Sequence, residues 1–160
     1  MRIAAVQSES LHGQIENNLK RHEQQIVAAK SNGAEMILFP ELSTCGYIPN
    51  YSLWTVMANN KIDTIEWIKT IASKYKVYLG VGLSEYLNNE IRNTYIIADP
   101  NGNMLGRAEK NHAESYVFRM GKGVHIIKLH DFKLGVCICA DNHFTKIVKQ
   151  LQNENISMLL

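Results

Sequence analysis

Apolar positions recur along the chain with two periods, and the switches between them mark the elements. "RIAAVQ", residues 2–7, is a short apolar run that predicts a buried strand. From Ile15 the positions Ile15, Leu19, His22, Ile26 and Ala29 step by four and three, which aligns them on one face of a helix. "SNGAE" closes that helix, with Gly33 as its left-handed cap. "MILF" supplies a second apolar strand, and Pro40 stops it. Strand, helix and strand with short joints make a βαβ unit, so a parallel sheet is expected.

Residues 42–60, "LSTCGYIPNYSLWTVMANN", form a long excursion with a Cys-Gly-Tyr turn and a Pro-Asn pair ahead of a short helix. Ile62, Ile65, Ile68 and Ile71 predict a helix over 61–74, and "VYLGVGLS" a third buried strand. "NTYIIADPNGNMLGRAEK" reads as a hairpin, because Pro-Asn-Gly supplies the fixed and positive backbone angles of a tight turn. "HIIKLHDFKLGVCIC" is a second strand pair, turning at His130 and Asp131. "HFTKIVKQLQN" follows as a short amphipathic helix and "ISMLL" as a last strand. No repeat or linker interrupts this order, so residues 1–160 are read as one α/β domain.

A formal charge of +2 with no basic stripe or block argues against nucleic acid as a partner. No apolar segment reaches the ~18 residues that span a bilayer, and the first ten residues lack the pattern of a secretory signal. The expectation is a cytoplasmic protein without a membrane partner. Cysteines occur only at 45, 137 and 139, an odd count, and Cys137 and Cys139 are too close for an unstrained disulfide within one extended strand. All three are expected to be free thiols.

The chemistry centres on "GVCICADNHF", residues 135–144. A period of two sets Leu134, Val136 and Ile138 on one face and Gly135, Cys137 and Cys139 on the other. Only Cys139 sits at the strand's exit, with Asp141 or Asn142 as the N-cap of a helix starting near His143. The unpaired N–H groups of such a helix would lower the pKa of Cys139 and favour the thiolate. Against this, both thiols could simply be core residues, or Cys137, Cys139 and His143 could be offered to zinc, although a fourth ligand is missing. Glu41 directly follows "MILFP" at the carboxyl end of a buried strand, where open α/β sheets place their sites; alone it could be a solvated loop residue. Lys110 lies just beyond the strand around "MLGRA" and, alone, would be a surface charge. A thiol to attack, a carboxylate to take its proton and an ammonium to meet an oxyanion would together suit acyl transfer.

"RIAAVQ", "GAEMILFPELSTCGY", "DPNGNMLGR", "EKNHAESYVFRMG" and "LGVCICADNHF" occur in the order, and at about the intervals, of the nitrilase superfamily of carbon–nitrogen hydrolases. The chain resembles that family over essentially its whole length. The resemblance implies an α-β-β-α sandwich, with Glu41 as general base, Lys110 stabilising the tetrahedral intermediate, Glu114 orienting substrate and lysine, and Cys139 as nucleophile. It implies that the backbone N–H of Ala140 helps to hold the oxyanion and that neither metal nor organic cofactor is needed. After the nucleophile the family has an aromatic, an acidic residue and then Arg-Phe-Pro, whereas this chain reads "CADNHFT". His143 is therefore a second base or a solvent-facing residue of the cap. Family members also continue past the strand matching "ISMLL", so the domain is read as shortened at its C-terminus.

The function implied is hydrolysis of a small amide or N-carbamoyl amine, less readily a nitrile, through a cysteine thioester, by a homo-oligomer. The reading from another class is a shortened, inactive subunit that serves binding or assembly.

Overall fold

The computed structural model describes residues 1–47, 62–114, 116–129 and 132–160. The short helix expected within 42–60 and the turn at 130–131 lie outside them. Strand β1 (Ile3–Ala5) leads through helix α1 (Ile15–Ser31) to β2 (Met36–Leu38), and the two strands pair in parallel. Gly33 adopts φ +80°, the left-handed geometry that closes α1. Ile15, Leu19, His22 and Ile26 are buried along the helix as the spacing requires, and Asn18 joins them.

Helix α2 (Thr64–Tyr75) starts three residues later than the isoleucine spacing suggests. Asp63 caps it, accepting the N–H of Glu66 at 2.9 Å. Strand β3 (Tyr78–Leu87) runs parallel to β2, then turns into β4 (Glu90–Ala98), which pairs antiparallel with β5 (Met104–Glu109). The expected hairpin at 99–103 is present. The preceding β3–β4 hairpin was not read from the pattern. It turns on Asn88 and Asn89, both at positive φ (54° and 61°), a conformation asparagine tolerates better than most residues. The result is a five-stranded sheet in the order β1-β2-β3-β4-β5.

A second sheet holds β6 (His125–Leu129), β7 (Phe132–Val136) and β8 (Met158–Leu159), with β7 and β8 parallel. The two sheets face each other across an apolar layer in which Met36, Tyr95, Ile97 and Ala108 of the first meet Ile127, Leu129, Leu134 and Val136 of the second. The outer face of the first sheet is covered by α1 and α2 through Ile26, Ile68 and Ile71 against Leu79, Val81 and Ile96. Beyond the second sheet, Leu151 of α3 (Thr145–Asn153) lies against Gly135. The layers thus run α, β, β, α. No helix among the described residues is long and apolar enough to cross a membrane.

Candidate active site

Three strand exits converge at one end of this sandwich. The first follows β2. Pro40 ends the strand, and the chain tightens into a turn in which Cys45 and Gly46 donate their N–H groups to the Leu42 carbonyl. This turn is pressed onto β3: a Cβ on Gly82 would lie 2.5 Å from the Leu42 nitrogen and the Pro40 oxygen, so only glycine admits the approach. Glu41 is thereby held over the sheet. Cys45 and Leu42 are buried beneath it.

The second exit follows β5. Lys110 donates its main-chain N–H to the Asn93 carbonyl at 2.9 Å and accepts the Gly121 N–H at 2.8 Å. Its side chain is only 1% exposed. The ammonium lies 2.7 Å from Glu41 Oε1 and 3.4 Å from Glu114 Oε1. Burial alone would lower the pKa of Lys110, but the Glu41 hydrogen bond and the charges of Glu41 and Glu114 outweigh it and raise it. Lys110 is a cation fixed between carboxylates. For Glu114 the hydrogen bond from Tyr47, at 2.7 Å, and the charge of Lys110 overcome the opposite pull of burial and lower its pKa. The same bond, followed by burial, raises the pKa of Tyr47.

The third exit follows β7. Pairing extends past the strand to Cys137, whose N–H bonds the Leu160 carbonyl, and the backbone then breaks at Cys139, which adopts φ +47°. Residues Cys139–His143 form a 3₁₀ turn, and α3 begins only at Thr145. The helix expected from His143, capped by Asp141 or Asn142, is therefore displaced. Asp141 has a different task. Its buried carboxylate accepts the N–H groups of Asn111, His112 and Ile138 and faces His112 Nδ1 at 3.1 Å. It ties the loop after Lys110 to the turn that carries Cys139.

Cys139 is exposed on this turn, while Cys45 is buried. Cys137 is partly exposed and lines, together with Cys139, Glu41 and Tyr95, a mostly apolar cavity of about 340 Å³. It is therefore not a fully buried core residue, the alternative open to both thiols in the sequence. The expected depression of the Cys139 pKa is also reversed. Desolvation raises it, and the negative charge of Glu41 and the hydrogen bond to that carboxylate raise it further, against smaller opposing effects of Lys110 and of the Ala140 N–H directed at the sulfur. The resting pair is a neutral thiol beside a carboxylate.

Glu41, Lys110, Glu114, Cys139 and the Ala140 N–H, singled out in sequence, thus share one site. His143 lies exposed at the end of the turn. Among the described residues no three His, Cys, Asp or Glu side chains gather as metal ligands. Sequence reading missed Tyr47 and Asn93. The former was visible only as part of a Cys-Gly-Tyr turn, the latter as a polar residue on the strand face shared by Ile91, Tyr95 and Ile97. Asn93 donates to Glu41 Oε1 at 2.7 Å.

The family model described as carbon–nitrogen hydrolase matches residues 2–160. A citrullinase from Francisella tularensis is 28% identical in a match covering 100% of this chain and 60% of the relative. A nitrilase from Pyrococcus abyssi is 26% identical, covering 94% and 60%. The crystal structure of an amidase from Nesterenkonia sp. superposes with a TM-score of 0.88 at 22% identity, over 99% of this chain and 63% of that one. The sandwich is that of the nitrilase-superfamily amidases. The chain spans about 60% of the length of these curated relatives.

Proposed function

The chain belongs to the carbon–nitrogen hydrolase family, and from that premise we propose that it hydrolyses a small amide or N-carbamoyl amine through a thioester on Cys139. Glu41 takes the thiol proton as the sulfur attacks the carbonyl carbon. The electron pair displaced onto oxygen is met by the Lys110 ammonium and the Ala140 N–H. Glu41 passes its proton to the leaving nitrogen, and ammonia or an amine departs. Glu41 then takes a proton from water, whose oxygen attacks the thioester. The sulfur leaves, regains its proton and frees the acid. Glu114, anchored by Tyr47, orients Lys110 and the substrate.

The observation that carries this reading is the convergence on one carboxylate: Glu41 receives the Lys110 ammonium at 2.7 Å and lines the same cavity as Cys139, whose pKa its charge raises. A neutral thiol is a weak nucleophile, so a base in hydrogen-bond contact is what attack requires. One relative is named citrullinase, in keeping with a carbamoyl substrate, and another nitrilase, so the substrate panel has to span all three compound classes.

The test offers the chain a panel of small amides, N-carbamoyl amines and nitriles, with ammonia release as the readout and mass spectrometry for an acyl adduct. Turnover of amides or carbamoyl compounds, an adduct on the Cys139 peptide and loss of both in Cys139→Ala are expected. Unchanged turnover in Cys139→Ala would overturn the mechanism. Absence of ammonia and adduct with every compound would favour the non-catalytic subunit.

A further inference from the structure

A single residue on β4 touches both partners of the nucleophile. Asn93 faces the same side of the strand as Ile91 and Tyr95, is 1% exposed, and is polar where its neighbours on that face are apolar. A buried amide there is costly unless it is hydrogen-bonded, so its partners identify its use. The side-chain Nδ2 donates to Glu41 Oε1 at 2.7 Å. The main-chain carbonyl accepts the Lys110 N–H at 2.9 Å. Lys110 Nζ closes the circuit on the same Glu41 oxygen at 2.7 Å.

We propose that Asn93 is a positioning residue, which fixes the Glu41 carboxylate relative to Lys110 so that the second carboxylate oxygen is presented to Cys139. The inference rests on the hydrolase reading of the site. Two donors converge on Oε1, and a carboxylate has two oxygens with about four acceptor positions between them. Occupying one oxygen from the β4 side leaves Oε2 as the base. The amide orientation follows, since an oxygen in place of Nδ2 would face a carboxylate oxygen. The same residue sets Lys110 through its carbonyl, the next rung beyond the Thr94–Glu109 pairing of β4 and β5. One strand residue therefore determines the distance between base and ammonium.

Asn93→Leu keeps the branched shape and the number of heavy atoms and removes the donor. The test is a double-mutant cycle with Glu41→Gln, read as kcat and KM for amide turnover and as the pH midpoint of Cys139 alkylation by iodoacetamide. Thermal unfolding is recorded for every variant. In the wild-type background Asn93→Leu should lower kcat by about ten- to a hundredfold, the scale of a misplaced catalytic group, with KM within about threefold, and should move the alkylation midpoint. In the Glu41→Gln background it should change neither, because a residue acting through Glu41 has nothing left to position. Equal losses in both backgrounds, or a loss matched by the unfolded fraction alone, would overturn the inference. Wild-type turnover in Glu41→Gln alone would instead remove the hydrolase reading beneath it.

Discussion

His22 makes an acid-labile point directly beneath the site. It sits on the apolar face of α1 at 1% exposure, its ring 4.1 Å from that of Phe39, two residues before Glu41. Neither ring nitrogen has a hydrogen-bond partner among the described residues. Burial, reinforced by the charge of Arg21, lowers its pKa from 6.5 to about 4. The unfolded chain therefore takes the proton first. The stability associated with neutral His22 is complete above 6.5 and is lost as pH falls toward about 4. Integrating between those values, a descent from about pH 7.5 to about pH 5 costs about 2 kcal/mol through this one ring. Replacement by leucine keeps the packing and removes the proton. Urea unfolding of the wild type and of His22→Leu at the two pH values measures the difference. The wild type should lose about 2 kcal/mol more than the variant, a midpoint difference of about 1 M urea for a slope near 2 kcal/mol/M. Parallel losses in the two proteins would refute the assignment, since carboxylates common to both then account for the whole decline.

Glu41→Gln should separate two properties of Cys139. Because the carboxylate holds the thiol pKa up, its removal lowers that pKa; alkylation near neutral pH speeds up while amide turnover falls by at least about a thousandfold, the larger part of a general base's contribution. Slower alkylation would contradict the electrostatics described above. Gly82→Ala sets a Cβ against the Leu42 nitrogen and Pro40 oxygen at 2.5 Å and must displace the Glu41 turn. Turnover per folded molecule should drop by about tenfold or more, and an unchanged value would show that the turn can shift without moving the base. Asp141→Asn leaves buried N–H groups short of acceptors, at a cost of about 3 kcal/mol. Differential scanning calorimetry should report a Tm lower by about 6–12 °C for a chain of this size.

The elements legible in sequence were those in which local pattern and tertiary burial agree. The α1 stripe, the Gly33 cap and the Pro-Asn-Gly hairpin are of this kind. The Asn88–Asn89 hairpin carried a signal, two adjacent residues that tolerate positive φ, but no glycine to mark it. The region after β7 was misjudged for a physical reason. A period-two reading assumes continued extension, and the left-handed backbone at Cys139 ends it, so the dipole argument was applied to a helix that begins six residues further on. The direction of the thiol's pKa shift then followed the wrong neighbour. Residue types for the site were visible one by one, each with an ordinary explanation. Their convergence depends on how two sheets stack, which only the family resemblance brought within reach.

That stacking alone would not align a base, a cation and a sulfur. The contact between the sheets is apolar, with Tyr95 and Ile97 against Leu134 and Val136, and such packing is non-directional. Reactive geometry needs tolerances of about half an ångström, which directional bonds supply. The structure places those bonds in pairs across the exits. Asn93 joins the Glu41 exit to the Lys110 exit within the first sheet. Asp141 joins the Lys110 exit to the Cys139 turn across the two sheets, with three N–H groups converging on one carboxylate. Each bridge is a buried polar residue that would be costly in an apolar core if its partners moved, so the same desolvation cost that makes it expensive also restricts the loops it holds. Mutations at Asn93 and Asp141 should consequently separate: the first perturbs the base relative to the ammonium within an intact sheet, whereas the second loosens one sheet's exit against the other's and should lower both stability and turnover.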